Sequence, residues 1–196
     1  MVRHGETEWS RSGRHTGRTD MPLTEAGVRN AELLRPRLER RDFVAVFTSP
    51  LSRARETCRL AGRGTGAQIR EELLEWDYGN YEGMTTLEIR KDTPGWVLWR
   101  DGCSGGEDAR QVGSRVDRLI GELRGLRGDV MLFAHGHVLR TLAARWVGLS
   151  PESGELLALS TGTLSALGYE REIAVIWLWN DGSHLGGQFQ VGRQPA

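Results

Sequence analysis

Four residues stand out by type and by the segments that carry them: Arg3 and His4 side by side, Arg53 within TSPLSRARET, and His135 within FAHGH. Brought to one point, two arginines and two histidines make a site for a compact dianion. A guanidinium fork matches phosphate oxygens bidentately. An imidazole that is neutral near pH 7 is a competent nucleophile and can carry a phosphoryl group. The surrounding cations would then stabilise charge on the equatorial oxygens in the transition state. A leaving alkoxide also needs a proton. Glu75, in LLEWDYG, is the candidate donor, and Glu82 is its rival, although bonding to the neighbouring loop is the preferred reading of Glu82. An acid role needs a raised pKa, which partial burial beside aromatics could supply. No metal-ligand spacing is present, and no cofactor is expected.

The elements that must position these groups can be read from periodicity. The first strand ends at Arg3 and is very short, and a polar loop is expected from Gly5 to Leu23. Thr24 reads as the N-cap of a helix with apolar positions at Ala26, Val28, Ala31, Leu34 and Leu38, kinked or divided by Pro36. DFVAVFTS and DVMLFAH are short apolar runs suited to buried parallel strands. Pro50 is expected in the first turn of a helix reaching Leu60. The segment from Gln68 to Gly83 is irregular, with short helices over Thr85–Lys91 and near Trp96–Arg100. Val112, Val116, Leu119, Ile120 and Leu123 form one helical stripe, and HVLRTLAARWVGL is a helix ending at Gly148. TGTLSALGYE and AVIWLWND form an antiparallel hairpin, and the tail after Asp181 reads as loose.

Alternating strands and helices predict an α/β fold: a three-layer α/β/α sandwich with a mainly parallel central sheet, in a single domain over residues 1–196 with a small helical lid at about 84–108. In such sheets the working residues lie beyond the carboxyl ends of the strands. Arg3 and His4 end the first strand, Thr48 and Ser49 the second buried strand just before Arg53, and His135 and Gly136 the third. The N-terminal cluster is thereby expected at the centre of a pocket.

Composition narrows the partners. Acidic and basic residues balance at 26 each, so no global field favours nucleic acid or an acidic membrane. Lys91 is the only lysine; the other basic residues are planar, bidentate arginines. Cys58 and Cys103 suggest no disulfide framework. Cys58 reads as buried and inert, and Cys103 as a loop residue near the pocket mouth. No apolar signal core or membrane-length run is present, so a cytoplasmic location is expected. The partner is a small phosphorylated molecule. The oligomeric state is open, with AVIWLWND as a candidate edge for pairing.

Several blocks in order carry a resemblance to the histidine phosphatase superfamily, also called phosphoglycerate-mutase-like. They are RHGETEW, TGRTDMPLTEAG, TSPLSRARET, LLEWDYGNYEG, GGED and FAHGH, spread over nearly the whole chain. The resemblance implies that His4 becomes phosphorylated, that Arg3, Arg53 and His135 form the phosphate pocket, and that Glu75 donates the proton. It implies that Ser10, Thr16, Gly17 and Gly136 line the pocket and that Tyr78 contacts substrate. Family members carry several apolar residues ahead of RHG, where this chain has only Met1 and Val2. The first strand is therefore expected to be shorter than usual and less stabilising, or the start to lie upstream. Thr86 stands where the mutase branch has a basic residue, and no basic pair lies between Gly95 and Gly106.

These features imply a metal-independent phosphatase of small sugar phosphates, with sedoheptulose 1,7-bisphosphate or a related bisphosphate as the implied substrate. A broad-specificity acid phosphatase, a phosphoglycerate-type mutase and a phospho-ligand binder without turnover are the alternatives. Among the remaining residues, His137 reads as structural, Glu107 as a ligand of loop backbone, His15 and His184 as surface histidines, and Trp96 and Trp99 as lid core.

Overall fold

In the computed structural model, residues 1–188 are described. A short strand β1 (Val2–Arg3) is followed by the helices α1 (Glu8–Ser12), α2 (Glu25–Glu32) and α3 (Arg35–Leu38). Strand β2 (Ala45–Thr48), helix α4 (Ser52–Leu60) and strand β3 (Gln68–Ile69) come next, then the short helices α5 (Thr86–Asp92) and α6 (Leu98–Asp101). The long helix α7 (Ala109–Gly125), strand β4 (Val130–Ala134), helix α8 (Gly136–Trp146) and the hairpin β5 (Leu164–Glu170) and β6 (Ile173–Asp181) complete the order. The six strands form one sheet in the order β3-β2-β4-β1-β5-β6. The pairs β2–β3, β2–β4 and β1–β4 are parallel, and β5 joins β1 and β6 antiparallel.

β4 shows why its sequence reads as an unbroken apolar run. Successive side chains alternate between the faces of a sheet, and both faces here are covered. Met131 and Phe133 pack with Leu34, Leu38 and Cys58 beneath α2–α4, while Leu132 and Ala134 join the core under α7 and α8. A helix-covered central strand needs apolar residues at every position. The predicted stripe of α7 is buried at Val112, Val116, Leu119 and Ile120. Pro36 divides its helix as expected, because α2 ends at Glu32 and Pro36 sits in the first turn of α3.

Four expectations are corrected. The loop from Gly5 to Leu23 contains α1. Thr7 accepts from the Ser10 amide, Ser10 Oγ accepts from the Thr7 amide, and Gly13 ends the helix with φ 73°. Pro50 is not in the first turn of α4, because Leu51 is the N-cap and Pro50 precedes it. The tail is not loose directly after Asp181. Ser183–Gln188 forms short 3-10 turns with Leu185 buried, and the rest of the expected loose segment lies outside the described residues. His184 is half-buried against the Gly162 carbonyl and Arg37, not a free surface residue. No helix among the described residues is long and apolar enough to cross a membrane.

Candidate active site

The parallel register carries the site. Arg3 pairs with Ala134 and Thr48 with Phe133, so β1, β2 and β4 end level with one another. His4, Ser49 and His135 follow directly at that edge, and all three are buried. The rings of His4 and His135 lie 5.1 Å apart between centroids. The chain leaves His4 through Gly5, whose amide donates to Thr57 Oγ1 on α4. It then crosses the start of α2 so closely that a Cβ on Gly27 would lie 2.2 Å from the Glu6 carbonyl oxygen. Only glycine permits that approach.

The two histidines are held in opposite tautomers. His4 Nδ1 lies 2.7 Å from the Gly5 carbonyl. A carbonyl only accepts, so Nδ1 carries the proton and Nε2 keeps its lone pair. At His135 the order is reversed. Arg53 Nε donates to His135 Nδ1 at 3.0 Å, which places the ring proton on Nε2, 2.7 Å from Ser49 Oγ. Burial, with the charges of Arg53 and Arg3, holds both imidazoles well below the ordinary value of 6.5. Both are therefore neutral at neutral pH, and His4 presents an unprotonated nitrogen.

Arg53 is fully buried and fixed by backbone. Its guanidinium donates to the carbonyls of Thr16, Gly17 and Thr19 at 2.9–3.0 Å. Thr16 and Gly17 thus meet this cluster through their carbonyls. The Thr16 hydroxyl bonds the Arg14 carbonyl, and the Gly17 amide is taken by Glu82. Glu82 also accepts from the Thr19 amide, so its carboxylate braces the loop that holds Arg53. The Ser10 hydroxyl is spent within its own capping box. Arg3 donates to the Leu159 carbonyl at 2.5 Å, while its buried Nε has no partner among the described residues. A Cβ on Gly136 would sit 3.3 Å from Arg3 Cζ, so glycine there lets the guanidinium lie against the start of α8.

Glu75 closes that helix start. Its carboxylate accepts from the amides of Trp76 (2.9 Å), His137 (3.0 Å) and Val138 (2.9 Å). His135, the N-cap of α8, offers no side-chain cap, so Glu75 satisfies two of the orphan donors of the first turn. Glu75 is buried, and its carboxylate is held by backbone N–H groups. Arg115 braces this loop from α7, donating to the carbonyls of Glu72, Leu74 and Glu75 and pairing with Glu107 at 2.8 Å. Glu107 in turn accepts from the Asp77 amide. Tyr78 is buried, with its hydroxyl 2.5 Å from His137 Nδ1.

His15, expected on the surface, is the main correction at the site. Its ring packs 4.8 Å from Tyr78, 5.6 Å from Trp96 and 6.2 Å from His137. Trp96 and Trp99 are buried in the core, and Cys103 is buried in the same cluster. Burial pushes the thiols of Cys58 and Cys103 up to about 12. Sequence reasoning missed Arg140, and it placed Ser49 at the strand edge without giving it a role in the site. No group of three or more His, Cys, Asp or Glu side chains is arranged to hold a metal ion among the described residues. A cavity of about 1120 Å³ opens elsewhere, among Phe43, Met131, Leu167 and Trp177, and contains none of these groups.

Such an arrangement can bind a phosphoryl group between donor-only guanidiniums and offer it a neutral imidazole nitrogen. Comparison with known proteins agrees with that chemistry. The family model described as histidine phosphatase superfamily (branch 1) matches residues 1–182. An acid phosphatase from Mycobacterium tuberculosis is 41% identical over 187 residues, covering 91% of each chain. A sedoheptulose 1,7-bisphosphatase from Saccharomyces cerevisiae is also 41% identical, over 76% of this chain and 67% of that protein. A solved structure of a Mycobacterium tuberculosis open reading frame superposes with a TM-score of 0.87 at 37% identity, covering 91% of this chain and 94% of the other.

Proposed function

The chain belongs to the histidine phosphatase superfamily and is a phosphomonoesterase, and from that premise we propose that it hydrolyses small sugar bisphosphates through phosphorylation of His4. In the first step His4 Nε2 attacks phosphorus, the P–O bond to the sugar breaks, and Glu75 in its protonated form gives its proton to the leaving oxygen. In the second step the Glu75 carboxylate takes a proton from water as the water oxygen attacks phosphohistidine. Phosphate leaves, His4 Nε2 recovers its lone pair, and Glu75 is protonated for the next turnover. Arg3 and Arg53 stabilise the equatorial oxygens in both steps. His135 is held as an Nε2–H donor by Arg53.

Arg140 is the observation that carries the bisphosphate reading. It lies one turn beyond His137 on α8, mostly buried, with its guanidinium 4.9 Å from the Trp99 ring centroid. It donates to the carbonyls of Gly154 and Glu155 and pairs with no carboxylate among the described residues. Burial is the largest effect on Arg140 and disfavours its charge; the nearby charge of Arg3 adds to this and that of Glu75 opposes it. A largely buried guanidinium whose hydrogen bonds go only to carbonyls favours an anion beside it. A second phosphate on the same substrate meets that need. The sedoheptulose 1,7-bisphosphatase relative supports a sugar bisphosphate as the substrate class.

The test is phosphate release, with EDTA present, from sedoheptulose 1,7-bisphosphate, fructose 1,6-bisphosphate, 3-phosphoglycerate and p-nitrophenyl phosphate. The expected result is the highest kcat/KM on a sugar bisphosphate, with Arg140→Ala raising KM for that substrate above all. Equal rates on all four esters would replace this reading with a generalist phosphatase. A phosphate shifted to a new carbon of the product would replace it with a mutase.

A further inference from the structure

Beside the arginine pocket stands a second group of side chains with the opposite chemistry. Tyr78 Oη and His137 Nδ1 are 2.5 Å apart, and His15 packs over both rings. His15 is pinned by its backbone, which exchanges hydrogen bonds with the lid: its amide donates to the Met84 carbonyl and its carbonyl accepts from Gly83, both at 2.9 Å. Its Nε2 lies 3.4 Å from Thr86 Oγ1 at the start of α5. His137 belongs to the same centre as Glu75, with Nδ1 4.0 Å from the carboxylate and its amide bonded to it.

None of these three side chains is charged at neutral pH. Burial holds His15 at about 4, holds His137 well below its ordinary value with help from Arg140, and pushes the Tyr78 phenol well above its own. Their hydrogen-bonding capacity is also unspent. A neutral imidazole and a phenol joined by one bond keep one donor and one acceptor for a third group, whichever of them supplies the shared proton. His137 Nε2 and His15 Nδ1 have no partner among the described residues. A phosphate oxygen only accepts, and the guanidiniums only donate, so those two match each other. A hydroxyl both donates and accepts, and it matches the neutral group.

We propose that His15, His137 and Tyr78 form the specificity-determining wall of the pocket and read the hydroxyl groups of a polyol leaving group. The proposal rests on the sugar-phosphate reading above and assigns its recognition to named side chains. Sites built to hydrogen-bond a substrate hydroxyl discriminate strongly against esters that lack it, because their polar groups are left unpaired.

The experiment compares KM and kcat for sedoheptulose 1,7-bisphosphate and p-nitrophenyl phosphate in the unmutated protein and in Tyr78→Phe, His15→Leu, His137→Leu and His137→Gln. Tyr78→Phe keeps the ring and the packing, so it remains informative if a leucine variant folds poorly. The expected result is a KM for the sugar ester raised about fivefold to tenfold per lost hydrogen-bonding group, and a fall of similar size in the ratio of kcat/KM between sugar and aryl ester. His137→Gln, which keeps a donor and an acceptor, retains most of the preference. Equal changes for both esters, or no change for either, would show a merely structural cluster and overturn the proposal. Failure of the sugar-phosphate reading looks different, because the unmutated protein would then show no preference for the sugar ester. The wall assignment would fall with it.

Discussion

Arg53 donates its Nε–H to Nδ1 of His135 over 3.0 Å, and the same guanidinium is clamped by the carbonyls of Thr16, Gly17 and Thr19. One side chain therefore sets the tautomer of a site histidine and is itself fixed by a loop far away in sequence. Lysine cannot reproduce this, having no planar fork and a single nitrogen. Arg53→Lys is expected to lower kcat/KM by about 10²–10³-fold. Nitrogen NMR of labelled histidine should show His135 losing its preference for the Nε2–H form. An unchanged tautomer in this variant would remove the link between the two residues.

His4 presents its lone pair at Nε2 because Nδ1–H is tied to the Gly5 carbonyl. His4→Ala should reduce turnover by at least about 10³-fold, as for other covalent nucleophiles. Enzyme incubated with labelled substrate and quenched in alkaline detergent should carry base-stable, acid-labile phosphate in the unmutated chain and none in the variant. Persistent labelling of His4→Ala would exclude the phosphohistidine route.

In the proposed mechanism Glu75 gives its proton to the departing oxygen, so its importance should follow the leaving group. An alkoxide needs the proton far more than a nitrophenolate does. Glu75→Gln should cost about 10²–10⁴-fold on a sugar phosphate and roughly tenfold or less on p-nitrophenyl phosphate. Rates measured on both esters decide this, and equal losses on both would point to a purely structural role at the start of α8.

Stability should fall on the acid side. His15 moves from 6.5 to about 4 on burial, and His4, His135 and His137 shift in the same direction. Between those values the unfolded chain binds more protons than the folded one, so stability rises with pH. The contribution is complete above the unfolded value of 6.5 and is lost as pH falls towards 4. Melting temperatures measured from pH 7 to pH 4 should therefore drop steadily. His15→Leu should flatten part of that slope, and a variant with the full slope would contradict the burial of His15.

Gly27 faces the chain that leaves His4, and an added Cβ would lie 2.2 Å from the Glu6 carbonyl oxygen. Neither backbone can give way cheaply. Gly27→Ala should destabilise by about 1–3 kcal/mol, read as a melting temperature lower by roughly 5 °C. Activity should fall with it, because the displaced segment begins at His4. A melting temperature equal to that of the unmutated chain would refute the close contact.

By itself the sequence determined the alternation of strands and helices, and with it the edge at which Arg3, His4 and His135 emerge. These are local matters of periodicity and capping: the apolar run of β4, the Thr24 cap, the break at Pro36. It also determined which residue types were available to bind a phosphate. The short helix α1 was legible in principle, as Thr7 and Ser10 followed by Gly13, but a capping box closed by serine is a weak signal. The tertiary structure alone decided how those residues are used. The tautomers of His4 and His135, the carbonyl clamp on Arg53, the amide cage of Glu75 and the burial of His15 all depend on partners from separate segments of the chain. Hydrogen-bond roles and desolvation are properties of the assembled neighbourhood, and no spacing along the chain encodes them. A histidine in a polar loop looks solvated until segments distant in sequence pack against it, which is why His15 read as surface although it packs against Tyr78 and Trp96.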